Sequence, residues 1–126
     1  MPLDYLKISN FCRQERIVLP VTWKHSVNAI RYHDSRESMN HFLVKCAIAH
    51  ELMNRGQTVL SEIKLPTKHE QPVADLLWLD EKIVLEFESQ YTEEKARKKM
   101  QQFGAFNTFV FDIKAKDTDE MLETIR

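Results

Sequence analysis

The spacing of apolar positions changes several times along the chain, and each change marks an element. Across about 36–55, Met39, Phe42, Leu43, Cys46 and Met53 recur at spacings of three, four or seven, the repeat of a helix face. Gly56 stands where a left-handed cap belongs, and Asp34 with Glu37 three residues on reads as a capping pair at the start. TVLSEIKL (58–65) alternates as a strand does, and Pro66 ends it. PVADLLWLD and KIVLEFES follow as two more strands around Asp80–Glu81. TEEKARKKMQQFG (92–104) opens on Thr92 as N-cap, places acids in its first turn and bases later, and closes on Gly104. That charge order suits the helix dipole. TFVFDIK (108–114) reads as a short buried strand, and DTDEMLETIR as a closing helix capped by Asp117. Residues 1–34 carry the weakest pattern: IVLPVTW reads as a strand interrupted at Pro20, and RYHDSRES as a turn.

The order is therefore helix, three strands, helix, strand, helix. A strand–helix–strand connection after residue 89 implies a right-handed crossover and a partly parallel sheet. The expected class is an α/β sandwich, or α+β in a stricter scheme. The chain of 126 residues reads as one domain: an N-terminal extension (1–35), a core (36–115) and a C-terminal helix (116–126). That length suffices to bury one core.

Composition removes several classes. Apolar residues make up 43% and charged residues 29%, a globular balance with no disordered character. The net charge of −1 and pI near 6.5 exclude an all-basic surface but leave room for a local basic patch. Cys12 and Cys46 form neither a CxxC motif nor a Cys/His cluster, so the expectation is a reducing cytoplasm without structural zinc or disulfides. No apolar stretch approaches the roughly 20 residues of a membrane span, and MPLDYLKISNF lacks the apolar core of a signal peptide. His25, His33, His50 and His69 show no metal-ligand spacing, and Trp23 and Trp78 read as packing residues.

Asp75, Glu86 and Glu88 interrupt the two apolar strands of the hairpin, and pairing about the Asp80–Glu81 turn brings them together. Asp75 then faces Glu86, Leu77 faces Val84 and Val73 faces Glu88, all on one side of the ribbon. The opposite side carries Ala74/Phe87, Leu76/Leu85 and Trp78/Ile83 and is wholly apolar. Cβ atoms of cross-strand neighbours are about 5 Å apart, and like charges placed so destabilise the sheet. A divalent cation would relieve the repulsion, and oxygen ligands suit magnesium or manganese. A solvated acidic edge paired with nearby lysine or arginine is the plain alternative. Glycosidase chemistry also uses two carboxylates, but no aromatic sugar platform accompanies these. Glu51 ends a helix stripe of Val44, Ala47 and Ile48 directed at the sheet and is a fourth candidate. Glu62 is a weaker one, and His41 and Lys45 lie one turn apart on the same helix.

A helix acid, then Asp75, then Glu86-Phe87-Glu88 at the end of the third strand resembles the PD-(D/E)XK nuclease superfamily. The pattern of Ser38, His41 and Lys45, then Gly56, Glu62, Pro72-x-x-Asp75 and Glu-x-Glu with Ser89 is similar to competence protein CoiA-like nucleases. It is also similar to archaeal Holliday-junction resolvases and small viral nucleases of this fold. The resemblance covers about residues 36–115 and rests on order and spacing. It implies a restriction-endonuclease-like αβββαβ core with a mixed central sheet, a metal held by Asp75 and Glu86, and Glu51 completing the site. The family motif has lysine at position 88, where it positions or activates the attacking water, whereas this chain has Glu88. Some members use Glu or Gln there, so Glu88 could serve as general base or as a second-metal ligand. A lysine could instead reach the site from a flanking helix, from Lys45, Lys95 or Lys98; an inactive site is the third option.

The expected activity is Mg²⁺- or Mn²⁺-dependent hydrolysis of DNA phosphodiester bonds, with RNA also open. Asp75, Glu86, Glu88 and Glu51 form the site, and Lys45, Lys95, Arg97, Lys98 and Lys99 contact the backbone. The same EKARKK run also suits a solvated helix face with i,i+4 ion pairs. With so little net positive charge, a second copy could complete a DNA groove. Two rivals stand beside the nuclease: a non-catalytic nucleic-acid-binding or assembly subunit of the same fold, and an interaction module dimerising through Phe103, Phe106 and Phe109.

Overall fold

A computed structural model describes residues 4–30, 37–65, 71–104 and 106–125. Asp34, residues 31–36 of the RYHDSRES turn, His33, His69 and Pro66 lie outside the described residues; Ser38, rather than the expected Asp34 with Glu37, is the cap of the helix that follows. Helix α1 (Tyr5–Glu15) comes first, followed by a single 3₁₀ turn at Trp23–Ser26. Helix α2 (Met39–Asn54), strands β1 (Val59–Lys64), β2 (Val73–Trp78) and β3 (Ile83–Glu88), helix α3 (Glu93–Gln102), strand β4 (Asn107–Asp112) and helix α4 (Thr118–Thr124) complete the order.

Local chemistry accounts for most of these limits. Ser38 caps α2 through the His41 N–H, Thr92 caps α3 through the Lys95 N–H, and Asp117 with Glu120 forms a capping box on α4. Gly56 takes φ 77°, and the Gln57 N–H reaches back to the Leu52 carbonyl, the closure a left-handed cap makes. The expected N-terminal strand does not form. Asp4 accepts the Lys7 N–H and starts a helix whose buried positions, Ile8 and Cys12, are one turn apart.

The four strands form one mixed sheet in the order β1-β2-β3-β4, the first two pairings antiparallel and the last parallel. The fold is therefore mixed α+β, with a helix–sheet–helix layering. Two apolar cores result rather than one. On the first face Ile48, Ala49 and Leu52 of α2 and Met121 of α4 pack on Val59, Leu76, Leu85, Phe87 and Phe111. On the second, Ile8 and Cys12 of α1 and Phe103 after α3 pack on Leu60, Ile63, Ala74, Leu77 and Val84. Phe103 is 1% exposed, while Phe106 and Phe109 are partly buried and pack against different cores. Among the described residues no helix is long and apolar enough to cross a membrane.

The buried stripe of α2 differs from the one its apolar residues suggest. Lys45, Ile48, Ala49 and Leu52 are buried, whereas Met39 and Leu43 are 64% and 56% exposed. A lysine occupies the first position of the inward stripe.

Candidate functional site

The β2–β3 ladder pairs Trp78 with Ile83, Leu77 with Val84 and Leu76 with Leu85, as counting from the turn predicts. It stops there. One residue further, the Asp75 N–H donates to Glu86 Oε2 at 2.6 Å and the Phe87 N–H donates to Asp75 Oδ2 at 2.9 Å. Each carboxylate thus accepts a main-chain N–H from the opposite strand, holding the open end of the hairpin together through side chains.

Strand β1 changes at the same level. Its pairing with β2 runs from Val59–Trp78 to Ser61–Leu76 and from Ile63–Ala74 to Lys64–Val73, omitting Glu62 and Asp75 between them. Glu62 has φ 49°, a left-handed conformation uncommon for a residue with a Cβ. The pleat reverses across this point. Leu60 and Ile63, and likewise Ala74 and Leu77, share the second core, although a regular strand would place residues three apart on opposite faces. Ala74 and Phe87 consequently sit in different cores, which corrects the single apolar face expected from counting alone.

On the α2 side, Glu37 Oε1 contacts both His41 Nδ1 at 2.7 Å and Lys45 Nζ at 2.8 Å. Lys45 Nζ also donates to Glu62 Oε1 at 2.8 Å, and His41 Nε2 lies 3.3 Å from Asp75 Oδ2. Burial opposes charge on His41, but the hydrogen bonds and charges of Asp75 and Glu37 outweigh it and raise the imidazole from an ordinary 6.5 to about 9. Lys45 is fully buried; burial favours its neutral form, yet Glu37 and Glu62 prevail and raise its pKa.

On the α3 side, Lys99 Nζ donates to Glu86 Oε1 at 2.9 Å. Burial, then the Asp75 charge, pushes the Glu86 carboxyl up from 4.5 to about 8, against the pull of Lys99 and of the Asp75 N–H. Lys99 is itself raised: burial opposes its charge, but Glu86, Glu88 and Asp75 all favour it. Glu88 Oε2 is buried and has no hydrogen-bond partner among the described residues.

The candidate acids do not all meet. Asp75 and Glu86 are in contact through the hairpin, and the charge of Glu88 reaches them through Lys99. Among the described residues no three of His, Cys, Asp and Glu are arranged to hold a metal ion. Glu51 pairs with Arg55 at 3.2 Å, one turn along α2, because the inward stripe runs through Lys45, Ile48 and Leu52. The residue that α2 does bring to the hairpin is His41, held from behind by Glu37 just before the helix. Lys45 is buried between two glutamates and is not a surface contact for phosphate. Lys99 turns toward Glu86 and is half-buried, while Lys95, Arg97 and Lys98 stay exposed. Glu37, His41 and Lys45 are spaced i, i+4 and i+8, a sequence signal for one helix face that was available. No protein-family model, curated protein or solved structure matches the chain.

Proposed function

We propose that this chain is a nuclease with a restriction-endonuclease-like core, hydrolysing DNA phosphodiester bonds with Mg²⁺ or Mn²⁺ at Asp75 and Glu86. The observation that carries this reading is Lys99, whose Nζ lies 2.9 Å from Glu86 Oε1. Position 88 lacks the lysine of the motif, and α3 delivers one to the same carboxylate from outside the hairpin. The helix–strand–strand–strand–helix–strand order of α2 to β4 also suits such a core.

The donors present fit a magnesium ion without a third acid. Magnesium commonly takes one or two protein carboxylates and completes its shell with water and substrate phosphate. Burial and the neighbouring Asp75 charge both raise Glu86, and Glu88 Oε2 is buried without a hydrogen-bond partner among the described residues, so a cation beside them would be favourable. An ion held by Asp75 and Glu86 would polarise the phosphate and make a bound water more acidic. Lys99, with its side chain 30% exposed and bonded to Glu86, would steady that carboxylate and orient the attacking water. Exposed Lys95, Arg97 and Lys98 on the same helix provide the charges for the nucleic-acid backbone, and a second copy of the chain would extend that groove.

One observation favours the rival, a non-catalytic nucleic-acid-binding or assembly subunit. Lys99 and His41 already neutralise the two carboxylates from within the protein. Calorimetry with Mg²⁺ and Mn²⁺, and cleavage assays on single-stranded, duplex and branched DNA and on RNA, separate the two. The nuclease reading expects ion binding that Asp75→Asn removes and a turnover reduced about 100-fold or more by Lys99→Met. Absence of both ion binding and cleavage in the folded wild type overturns it; retained DNA binding then supports the rival.

A further inference from the structure

A continuous path of polar contacts leads from the interior of α2 to the hairpin. Glu62 holds Lys45, Lys45 holds Glu37, Glu37 holds His41, and His41 reaches Asp75. The inner part is costly for a small protein. The side chains of Lys45, Glu37 and Glu62 are 0%, 1% and 8% exposed, and buried ions destabilise unless every member is paired. Glu62 adds a left-handed backbone on a strand, the kind of local strain that gathers at functional sites.

We infer that Glu37, Lys45 and Glu62 form a buried ionic latch that acts through His41 to fix the Asp75 carboxylate. The inference rests on the reading of Asp75 as a site residue given above. All four are positioning residues: none is argued to touch substrate.

The geometry assigns each a part. Glu37 Oε1 accepts from Lys45 Nζ and lies against His41 Nδ1, so one carboxylate oxygen orients both side chains. With its Nδ1 end anchored, the ring has only Nε2 left to offer Asp75 Oδ2. That oxygen also accepts the Phe87 N–H, so Asp75 is gripped from the helix on one side and from β3 on the other. Lys45 joins this assembly to β1 at Glu62, the residue opposite Asp75 where the pleat of both strands reverses. Strand irregularities of this kind re-aim side chains. A cluster serving only to fasten α2 to the sheet would need neither the reversal at Glu62 nor the partly exposed His41 between Glu37 and Asp75. Apolar residues could perform that fastening, as Ile48, Ala49 and Leu52 already do.

The Phe87 amide reports the result directly, because its partner is the Asp75 carboxylate. Amide spectra of the protein without metal or DNA would be recorded for wild type, for Asp75→Asn as the reference, and for His41→Gln, His41→Asn and Glu37→Gln. Glutamine can place a donor near the Nε2 position, whereas asparagine reaches only the Nδ1 position. The latch predicts that His41→Asn moves the Phe87 amide at least half as far as Asp75→Asn does. His41→Gln stays near wild type, and Glu37→Gln moves it in the same direction as His41→Asn. Glu62→Gly removes one Lys45 partner while suiting the left-handed backbone, and serves in place of Glu37→Gln if that variant does not fold. An unmoved Phe87 resonance in folded His41→Asn and in folded Glu37→Gln or Glu62→Gly overturns the latch. If the wild type cleaves DNA, His41→Asn also reduces kcat about 10-fold with KM for DNA within twofold. If it does not cleave, the nuclease reading fails while the amide shifts still decide the latch.

Discussion

Toward its turn, the β2–β3 hairpin joins Leu76 to Leu85, Leu77 to Val84 and Trp78 to Ile83 through its backbone, whereas at its open end the Asp75 and Glu86 side chains take over the pairing. Both ends are well buried, yet they are held by different forces. The turn end places leucines and a valine into two separate cores, one on each face, and its main-chain groups satisfy one another. At the open end, the carboxylates of Asp75 and Glu86, the His41 imidazole and the Lys99 ammonium come together from four elements. The contrast separates two kinds of support within one ribbon: the first end is held mainly by apolar packing and its backbone ladder, and the second by polar side chains whose loss leaves buried groups without partners.

Truncation at the turn end tests this most strongly. Leu76 is fully buried in the first core, so Leu76→Ala is expected to lower unfolding free energy by about 2–5 kcal/mol. Denaturant titration reads the loss. The proposed ion binding at Asp75 and Glu86, measured well below the unfolding midpoint, should stay within about twofold. A collapse of binding in a folded Leu76→Ala protein would show that the two ends are not separable.

At the open end, Lys99→Met leaves Glu86 without its cation. Glu86 is 2% exposed as a residue and Lys99 has a side chain 30% exposed, so the cost falls below that of a fully buried pair, at about 2 kcal/mol. The loss should be largest above pH 8 and smaller near pH 6, because an isolated Glu86 can take up a proton. Equal losses at both pH values would mean that Glu86 stays ionised throughout.

Much of the turn end was legible in the sequence, because period-two alternation and a short connection determine which residues face each other. The open end defeated the same counting for a local reason: Glu62 adopts a left-handed φ, and nothing in a glutamate announces this. Helix α2 was readable as a helix, but its inward face was not. Hydropathy pointed to Met39 and Leu43, whereas Lys45 is the residue buried, its charge offset by Glu37 and Glu62. Lys99 read as one of a run of surface cations, and only the placement of α3 against the sheet separates it from Lys95, Arg97 and Lys98. Helix α1 escaped notice because it buries just Ile8 and Cys12, too few for a repeat.

Alkaline pH probes the open end first, below the range of the Cys12 and Cys46 thiols, which burial raises above 9.0. Folded His41 keeps its proton to about pH 9, against about 6.5 for an ordinary histidine, so between those values the folded state holds more protons than the unfolded one. This stabilisation is complete below pH 6.5 and is lost as pH rises through 9. Glu86 acts in the same direction between 4.5 and about 8, since its folded form also keeps a proton the unfolded chain releases. Stability should therefore decline from neutral pH toward 9, by about 1 kcal/mol per pH unit. His41→Gln should flatten the decline above pH 6.5, and a curve unchanged by this substitution would remove His41 from the charge balance.

The smallest effect is expected from an acid that belongs to neither end. Glu51 is the helix carboxylate that spacing alone selects, but its partner is Arg55, one turn away, with side chains 40% and 35% exposed. Exposed i,i+4 pairs contribute about 0.3–0.5 kcal/mol, so Glu51→Ala should change unfolding free energy by no more than that. It should leave the Phe87 amide, ion binding and any cleavage at wild-type values, while Glu37→Gln on the same helix moves the amide. Glu37 precedes the Ser38 cap and its side chain is 1% exposed, whereas Glu51 lies in the helix with its side chain 40% exposed. If Glu51→Ala removes ion binding in a folded protein and Glu37→Gln does not, the helix contributes through the wrong face for the latch, and Asp75 must be held by Phe87 and its own strand.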